Sequence, residues 1–168
     1  IGALSTGHSH QHVINHVQQQ IGSIVHAQQN CIMSHPAADA FLEKLEPHVP
    51  QCMDSVFFAN SGTDAIENAV KLARKTTKRT NIITILGGFH GRSIAGMALS
   101  SSRNSCKSGF EPLMSGVFHA DVSSENTQTN IHSFLNLVEC TTSAMDTAAV
   151  LFEPVRGEGG VHMLEHGF

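Results

Sequence analysis

Short apolar runs, separated by segments of helical periodicity, constrain the fold of this chain more than any other feature. Residues 81–86 (NIITIL) end at two glycines, and residues 148–155 (AAVLFEPV) are stopped by a proline. Together with residues 54–60 (DSVFFAN) and 116–122 (GVFHADV), they are predicted to be strands. Strands that are apolar throughout are typical of parallel sheets buried on both faces. The sequence therefore predicts an α/β fold, with a mostly parallel sheet and helices on both of its faces.

Apolar residues recur at helical spacing between these runs. Ser34 is predicted to cap a helix whose first turn contains Pro36. The other predicted helices carry apolar stripes at Val13, Ile14, Val17, Ile21, Ile24 and Val25, at Ile66, Ala69, Val70 and Ala73, and at Ile131, Phe134, Leu135 and Val138.

The segment VFFANSGTDAIENAVKLAR joins one predicted strand directly to a helix. Ser61 is suited to cap this helix, and Asp64 completes a capping box. Gly62 lets the backbone approach a ligand closely, and the unpaired N–H groups of the first turn favour an anion. Taken alone the turn favours an ordinary cap, because such caps are common. A phosphate site is the alternative, since ligands of parallel sheets lie beyond the carboxyl ends of strands.

A second candidate, GGFHGRS at residues 87–93, also follows a predicted strand. The ring of Phe89 could lie against a flat ligand, and His90 could donate to that ligand or move a proton. In the alternative interpretation, Phe89 fills the core of a glycine turn and His90 is solvated. The flanking glycines weigh against that alternative, because flexible backbone is costly without a steric reason.

The third candidate, FEPVRGEGG at residues 152–160, contains two carboxylates. Glu153 lies at the end of a predicted buried strand, so a cationic partner is expected for its charge. In the alternative interpretation Glu158 is a solvated loop residue and Glu153 is paired with a structural arginine.

Charge and cysteine spacing limit the class of protein. The net charge of −4 gives no reason to expect nucleic acid or an anionic membrane as a partner. No apolar run approaches the length of a membrane span. The four cysteines, at positions 31, 52, 106 and 140, are far apart, which favours reduced thiols in an intracellular protein over a disulfide framework.

Twelve histidines raise the question of a metal site. His8, His10 and His12 would share one side only if that stretch were extended, and no His-Glu-x-x-His motif accompanies them. Solvated imidazoles at a helix entrance are favoured, and no metal site is predicted. A His-rich metal-binding protein remains a third interpretation.

Five stretches, taken in order, resemble the class III (ω-amino acid) aminotransferases, which use pyridoxal 5′-phosphate (PLP). They cover nearly the whole chain: GHSHQHVINHVQQQ, VFFANSGTDAIENAVKLAR, GGFHGRSIAGMALS, GFEPLMSGVFHA and LFEPVRGEGG. The combination of the five stretches is highly specific for this family, although each stretch alone is only modest evidence. Within the family, the stretch GFEPLMSGVF is most similar to the 4-aminobutyrate aminotransferase branch. The resemblance implies part of the large domain of the aspartate aminotransferase-like fold at residues 51–168, preceded by an N-terminal helical segment at residues 1–50.

The resemblance also implies roles for residues in the first two candidate segments. The cofactor phosphate would bind to Ser61, Gly62 and Thr63. Phe89 would stack on the pyridine ring, with His90 beside it. The family pattern thus raises the phosphate interpretation of the 61–63 turn above the ordinary cap.

In the third segment, the resemblance places Glu153 near the substrate side of the cofactor. Glu158 resembles the family's glutamate that pairs with an arginine when no substrate carboxylate occupies that arginine. Arg156 departs from the family, which usually has glutamine at this position, and contacts near the cofactor are expected to differ.

The chain ends before the region where family members carry the aspartate that pairs with the pyridinium nitrogen, and before the Schiff-base lysine. Amino transfer needs that lysine. The start at Ile1 and the end at Phe168 suggest a piece of a longer protein, and these residues alone are expected not to transaminate. The lysines that do not resemble the Schiff-base motif are Lys44, Lys71, Lys75, Lys78 and Lys107.

The full-length protein is expected to move an amino group from an ω-amino acid, such as 4-aminobutyrate, to a 2-oxo acid. A homodimer in the cytoplasm or the mitochondrial matrix is implied, with no nucleic acid and no membrane as partner. The alternative is a non-catalytic truncated relative that acts as a binding or interaction protein.

Overall fold

A computed structural model of the chain describes residues 4–27, 33–165 and 167–168. The chain divides into two compact units, Ile1–Phe58 and Ala59–Phe168. Cys31 lies outside the described residues, whereas Cys52, Cys106 and Cys140 carry free thiols. The domain division implied by the family resemblance, at residues 1–50 and 51–168, stays a prediction. Within the described ranges, no helix combines the length and the apolar character that crossing a membrane requires.

The first unit contains helix α1 (Gln11–Ile21), helix α2 (Pro36–Leu45) and a 3₁₀ turn (Glu46–His48). Helix α1 is shorter than its predicted stripe, because the chain leaves the helix at Gly22. Glycine is a poor helix former, so the two last apolar residues of the stripe lie beyond the helix. The residues of the stripe that remain in α1 include several that are about half-exposed: Val13, Val17 and Ile21.

The cap of α2 differs from the prediction. The backbone N–H of Ala38 donates to Nδ1 of His35 at 3.3 Å, so His35 is the N-cap. Ser34 instead bonds through its hydroxyl to the carboxylate of Asp39. The reason is positional, because Pro36 is the first helical residue and the cap is the residue directly before it.

The second unit is built around a three-stranded parallel sheet. Strand β1 lies in the centre and pairs with β2 on one side and β3 on the other. The helices and strands of this unit are α3 (Gly62–Thr77), β1 (Asn81–Ile85), α4 (Ile94–Leu99), β2 (Val117–Ala120), α5 (Thr127–Cys140), β3 (Thr147–Leu151), β4 (Val155–Arg156) and β5 (His162–Met163).

Both faces of the central strand are covered. Successive side chains of a strand point to opposite faces. Ile83 and Ile85 pack with apolar residues of α5, including Phe134 and Val138. On the other face, Ile82 packs with one residue each of α3 and α4, Val70 and Leu99. The predicted α/β fold, with a parallel sheet and helices on both faces, is confirmed.

The predicted strand at residues 54–60 is wrong. Residues 53–59 have no regular structure, and Val56 and Phe57 are 45% and 61% exposed. An apolar run supplies side chains to bury, but a strand also needs a neighbouring backbone for its hydrogen bonds. Within the described ranges this segment has no such neighbour, because the sheet order is β2-β1-β3. The short antiparallel pair β4–β5 was not predicted and follows β3 directly.

Candidate functional site

The start of α3 is capped largely as its sequence predicts. Ser61 is the N-cap, and its hydroxyl oxygen accepts from the backbone N–H of Asp64 at 3.1 Å. The carboxylate of Asp64 accepts from the N–H of Asn60 at 3.1 Å, one residue before the partner that a capping box would give it. The first turn is therefore fixed by side chains that leave its outermost donors unused.

Those unused donors are the backbone N–H groups of Gly62 and Thr63, which make no hydrogen bond to any described residue. A Cβ added at Gly62 would meet nothing within 4 Å, so the space in front of this turn is open. Unpaired amides at the positive end of a 16-residue helix attract an anion. The arrangement fits a phosphate group.

The 87–93 loop lies against this helix start. Gly91 has a φ of +111°, and a Cβ there would lie 2.7 Å from Cγ2 of Thr63. Two segments that are 28 positions apart in the sequence are therefore in contact. Gly91 is required for two reasons, since its backbone conformation and its close approach to Thr63 both exclude a larger residue.

Position 88 also requires glycine, because a side chain there would clash with the chain itself. A Cβ at this position would lie 2.9 Å from Nε2 of His90 and 3.1 Å from the carbonyl oxygen of Ile85. The glycines that flank Phe89 and His90 are thus explained by the packing of the chain itself. Their presence alone is no evidence for a ligand.

His90 is buried, with 6% of its surface exposed. Its Nε2 lies 2.9 Å from the hydroxyl oxygen of Thr84 on β1, and its backbone N–H donates to the Ser100 hydroxyl at 2.8 Å. The alternative of a solvated His90 is therefore wrong. The neighbouring Phe89 is half-buried, so its ring is not enclosed in the core.

Burial shifts the pKa of two histidines in this region. Desolvation lowers the pKa of His90 below its ordinary value of 6.5, against an opposing effect of the Glu153 charge. Desolvation and the charge of Lys107 likewise lower the pKa of His119, whose buried Nδ1 has no hydrogen-bond partner among the described residues.

The folded protein should therefore lose stability as these imidazoles are forced to take up protons. A lowered pKa means that the unfolded chain binds protons first, so the free energy of unfolding should fall as the pH drops below about 6.5 and stay level above it. Urea denaturation between about pH 8 and pH 5.5 measures this, because the slope reports the difference in bound protons. The variant with both His90→Gln and His119→Gln should lose most of the decline. An unchanged decline in that variant would contradict this origin.

Glu153 ties the second and third segments together. Its Oε1 accepts from the backbone N–H of Phe89 at 2.7 Å, and its Oε2 accepts from the N–H of Gly157 at 3.1 Å. Among the described residues, neither the expected cationic partner nor the alternative structural arginine is found beside this carboxylate. Two backbone amides satisfy this carboxylate instead, which is a common way to hold a partly buried charge.

Glu158 and Arg156 are placed differently. Glu158 is exposed and makes no hydrogen bond within the described part of the chain, so the structure does not bring it into this network. Arg156 donates from Nη1 to the carbonyl oxygen of Leu86 at 2.8 Å, at the end of β1. Its Nε is buried and finds no partner among the described residues.

Three supporting residues were missed by sequence reasoning: Thr84, Ser100 and Ser101. Ser101 accepts from the N–H of Gly87 at 2.9 Å, and the other two hold His90 as described above. A polar residue inside the apolar strand β1 and a run of serines after α4 were the available signals. Neither signal indicates its partner without the tertiary fold.

Comparison with known proteins gives a consistent result. The family model described as aminotransferase class III matches residues 1–168. The chain is 38% identical over 165 residues to an acetylornithine aminotransferase from Bacillus amyloliquefaciens, covering 96% of this chain and 64% of that protein. It is 36% identical over 172 residues to a probable 4-aminobutyrate aminotransferase from Bacillus subtilis, covering 95% and 39%.

A solved structure shares the fold. The amine transaminase from an uncultivated Pseudomonas species, crystallised with PLP bound, matches with a TM-score of 0.82 and 24% identity over 92% of this chain and 39% of that one. The chain therefore spans less than two thirds of the length of each of these relatives.

Proposed function

Because the chain belongs to the class III aminotransferase family, we propose that its second unit binds PLP, with the phosphate at the start of α3. The observation that carries this proposal is the contact between Gly91 and Thr63, which sets the 87–93 loop beside the two unpaired amides of the helix start. A phosphate and a flat ring would then be held by adjoining segments of one unit.

The phosphate is held by the first turn of α3 in this proposal. The N–H groups of Gly62 and Thr63 donate to its oxygens, and the helix dipole adds to the attraction. The hydroxyl oxygen of Ser61 already accepts from Asp64, but its proton stays available for a phosphate oxygen. The absence of a side chain at Gly62 leaves the approach open.

The ring is positioned by the 87–93 loop. Phe89 offers its half-buried ring for stacking. His90 joins the loop to β1 through its contact with Thr84, and Glu153 accepts a hydrogen bond from the backbone of Phe89. We place Glu153 near the substrate side of the cofactor. The exposed carboxylate of Glu158 is left to pair with an arginine or to yield that arginine to a substrate carboxylate.

We propose that the whole protein transfers an amino group from an ω-amino donor to a 2-oxo acid acceptor. When bound, PLP supplies the electron sink for this exchange. The names of the two relatives refer to different amino donors, acetylornithine and 4-aminobutyrate. The preference for 4-aminobutyrate that the sequence suggests therefore stays a prediction. The predicted homodimer and the predicted intracellular location are retained as parts of the proposal, and the bacterial origin of these two relatives favours the cytoplasm over the mitochondrial matrix.

The Gly62→Val variant of the full-length protein tests the phosphate site. The Cβ of its side chain would meet nothing within 4 Å in the described chain and would project into the open space before the helix. We expect the dissociation constant for PLP to rise at least about tenfold, equivalent to about 1.4 kcal/mol. Titration of the apoprotein with PLP, followed by absorbance, measures this change.

Ala69→Val is the matched control, because it adds the same kind of side chain to an exposed position of the same helix. It should leave the dissociation constant for PLP unchanged. An unchanged dissociation constant in Gly62→Val would show that the phosphate binds elsewhere.

The non-catalytic alternative predicts a different result for the full-length protein. A binding or interaction protein would transfer no amino group from any of a panel of ω-amino acids to 2-oxoglutarate. The proposed enzyme would do so, and the loss of PLP affinity in Gly62→Val would accompany a loss of turnover.

A further inference from the structure

Two histidines of α1 face each other across one helical turn. The rings of His12 and His16 have their centroids 4.2 Å apart, and both residues are exposed. We propose that this pair is a two-ligand site for a divalent transition-metal ion of the kind that imidazole prefers, such as Ni²⁺, Cu²⁺ or Zn²⁺. The pair lies in α1, which belongs to the first unit, whereas the residues of the proposed cofactor site belong to the second.

The hydrogen bond of His16 prepares its ring for a metal. Nδ1 of His16 lies 2.9 Å from the backbone carbonyl oxygen of His12. A carbonyl oxygen can only accept, so Nδ1 must carry the proton in this bond. In the neutral ring, Nε2 then holds the free lone pair. Histidines that ligate metals usually donate their other ring N–H in this way, which fixes the tautomer and the orientation of the ring.

The i, i+4 spacing places His12 where it can act as the second ligand beside His16. Residues at positions i and i+4 of a helix lie on the same face, with Cβ atoms about 5–6 Å apart. Rotation of the His12 side chain, with the His16 ring kept in its hydrogen bond, can therefore bring Nε2 of both residues to the distance of about 2.0–2.1 Å from one ion that a zinc–imidazole bond requires. Pairs of histidines at this spacing on a helix form part of known zinc sites.

The structure limits the number of ligands to two. Among the described residues, no group of three or more histidine, cysteine, aspartate or glutamate side chains could hold one metal ion. His8 and His10 lie in the turns before the helix and do not extend the pair to three. Water must complete the coordination, and the affinity should follow the Irving–Williams order, with Cu²⁺ above Ni²⁺. Mg²⁺ and Ca²⁺ should not bind, because they prefer oxygen ligands.

Isothermal titration of the full-length protein with Ni²⁺, in a buffer with a reductant that does not bind metal, tests the proposal. The difference between variants isolates this site from weaker binding by the other histidines. We expect His12→Gln and His16→Gln each to weaken the site at least about tenfold, since even the loss of an outer-shell partner commonly costs that much. The matched control carries His8→Gln and His10→Gln and should keep the site.

A structural readout separates ligation from an indirect effect. Ni²⁺ is paramagnetic, so the ring proton signals of His12 and His16 should be broadened first in an NMR titration. Helicity by circular dichroism should be the same in all variants without metal, because both side chains are exposed. The proposal is overturned if either single variant retains the affinity of the unmodified protein, or if Ni²⁺ broadens other histidines first.

Discussion

Replacing Gly91 with alanine is expected to lower the free energy of unfolding by about 2–5 kcal/mol, a larger loss than most single substitutions cause. Gly91 has a φ of +111°, a conformation that costs an L-residue about 1–2 kcal/mol. The added Cβ would also lie 2.7 Å from Cγ2 of Thr63, and such overpacking typically costs about 1–3 kcal/mol. The same change should push the 87–93 loop away from α3 and weaken PLP binding.

Urea denaturation measures the stability, and a double-mutant cycle with Thr63→Ala tests the cause. Thr63→Ala removes Cγ2 and Oγ1, two of the three nearest atoms, so it should recover part of the loss in the Gly91→Ala background. Gly62→Ala is the control, because its Cβ meets nothing within 4 Å. Full stability in Gly91→Ala would show that the loop and the helix start are not packed together as described.

Replacing Glu153 with alanine is expected to cause the second large loss of unfolding free energy. The backbone N–H groups of Phe89 and Gly157 would both lose a charged acceptor. Hydrogen bonds to charged groups contribute about 1.5–3 kcal/mol each, so we expect a loss of about 2–4 kcal/mol when solvent access to this half-buried site is allowed for. Because Phe89 would no longer be held, the dissociation constant for PLP should also rise by at least about tenfold.

Two further variants test whether the loss of stability comes from the hydrogen bonds of Glu153. One keeps an acceptor oxygen but removes the charge, and the other removes a glutamate elsewhere on the surface. Glu153→Gln keeps one acceptor oxygen and should fall between the unmodified protein and Glu153→Ala in unfolding free energy. Glu158→Ala removes an exposed carboxylate and should change the stability by no more than about 0.5 kcal/mol. Equal stabilities for Glu153→Ala and Glu158→Ala would contradict the role assigned to Glu153.

The elements with strong periodicity were predicted well from sequence. Residues 81–86 form the central strand almost as predicted, and the apolar spacing at Ile131, Phe134 and Val138 marks α5. These elements were predictable because burial on two faces or on one helical stripe leaves a direct pattern in the chain. The segment at residues 54–60 carried a similar apolar pattern and failed, because pairing with another strand is not a local property.

The candidate site was predictable in its parts and not in its assembly. The Ser61 cap and the open first turn at Gly62 follow from local chemistry, since the donors and the capping side chain are neighbours in the sequence. The partners of Glu153 and the burial of His90 could not be derived in this way. Both depend on atoms that are distant in the sequence, such as the Phe89 amide and the Thr84 hydroxyl.

The sequence by itself determined the type of the main elements and the family to which the chain belongs, because periodicity, capping residues and ordered motifs are carried by neighbouring positions. Only the tertiary structure decided which of the three motif segments meet. It set Gly91 against Thr63, and it joined the backbone of Phe89 to Glu153. The physical reason is that packing and hydrogen bonding between distant segments depend on distances of a few ångströms, which the linear order of residues does not specify.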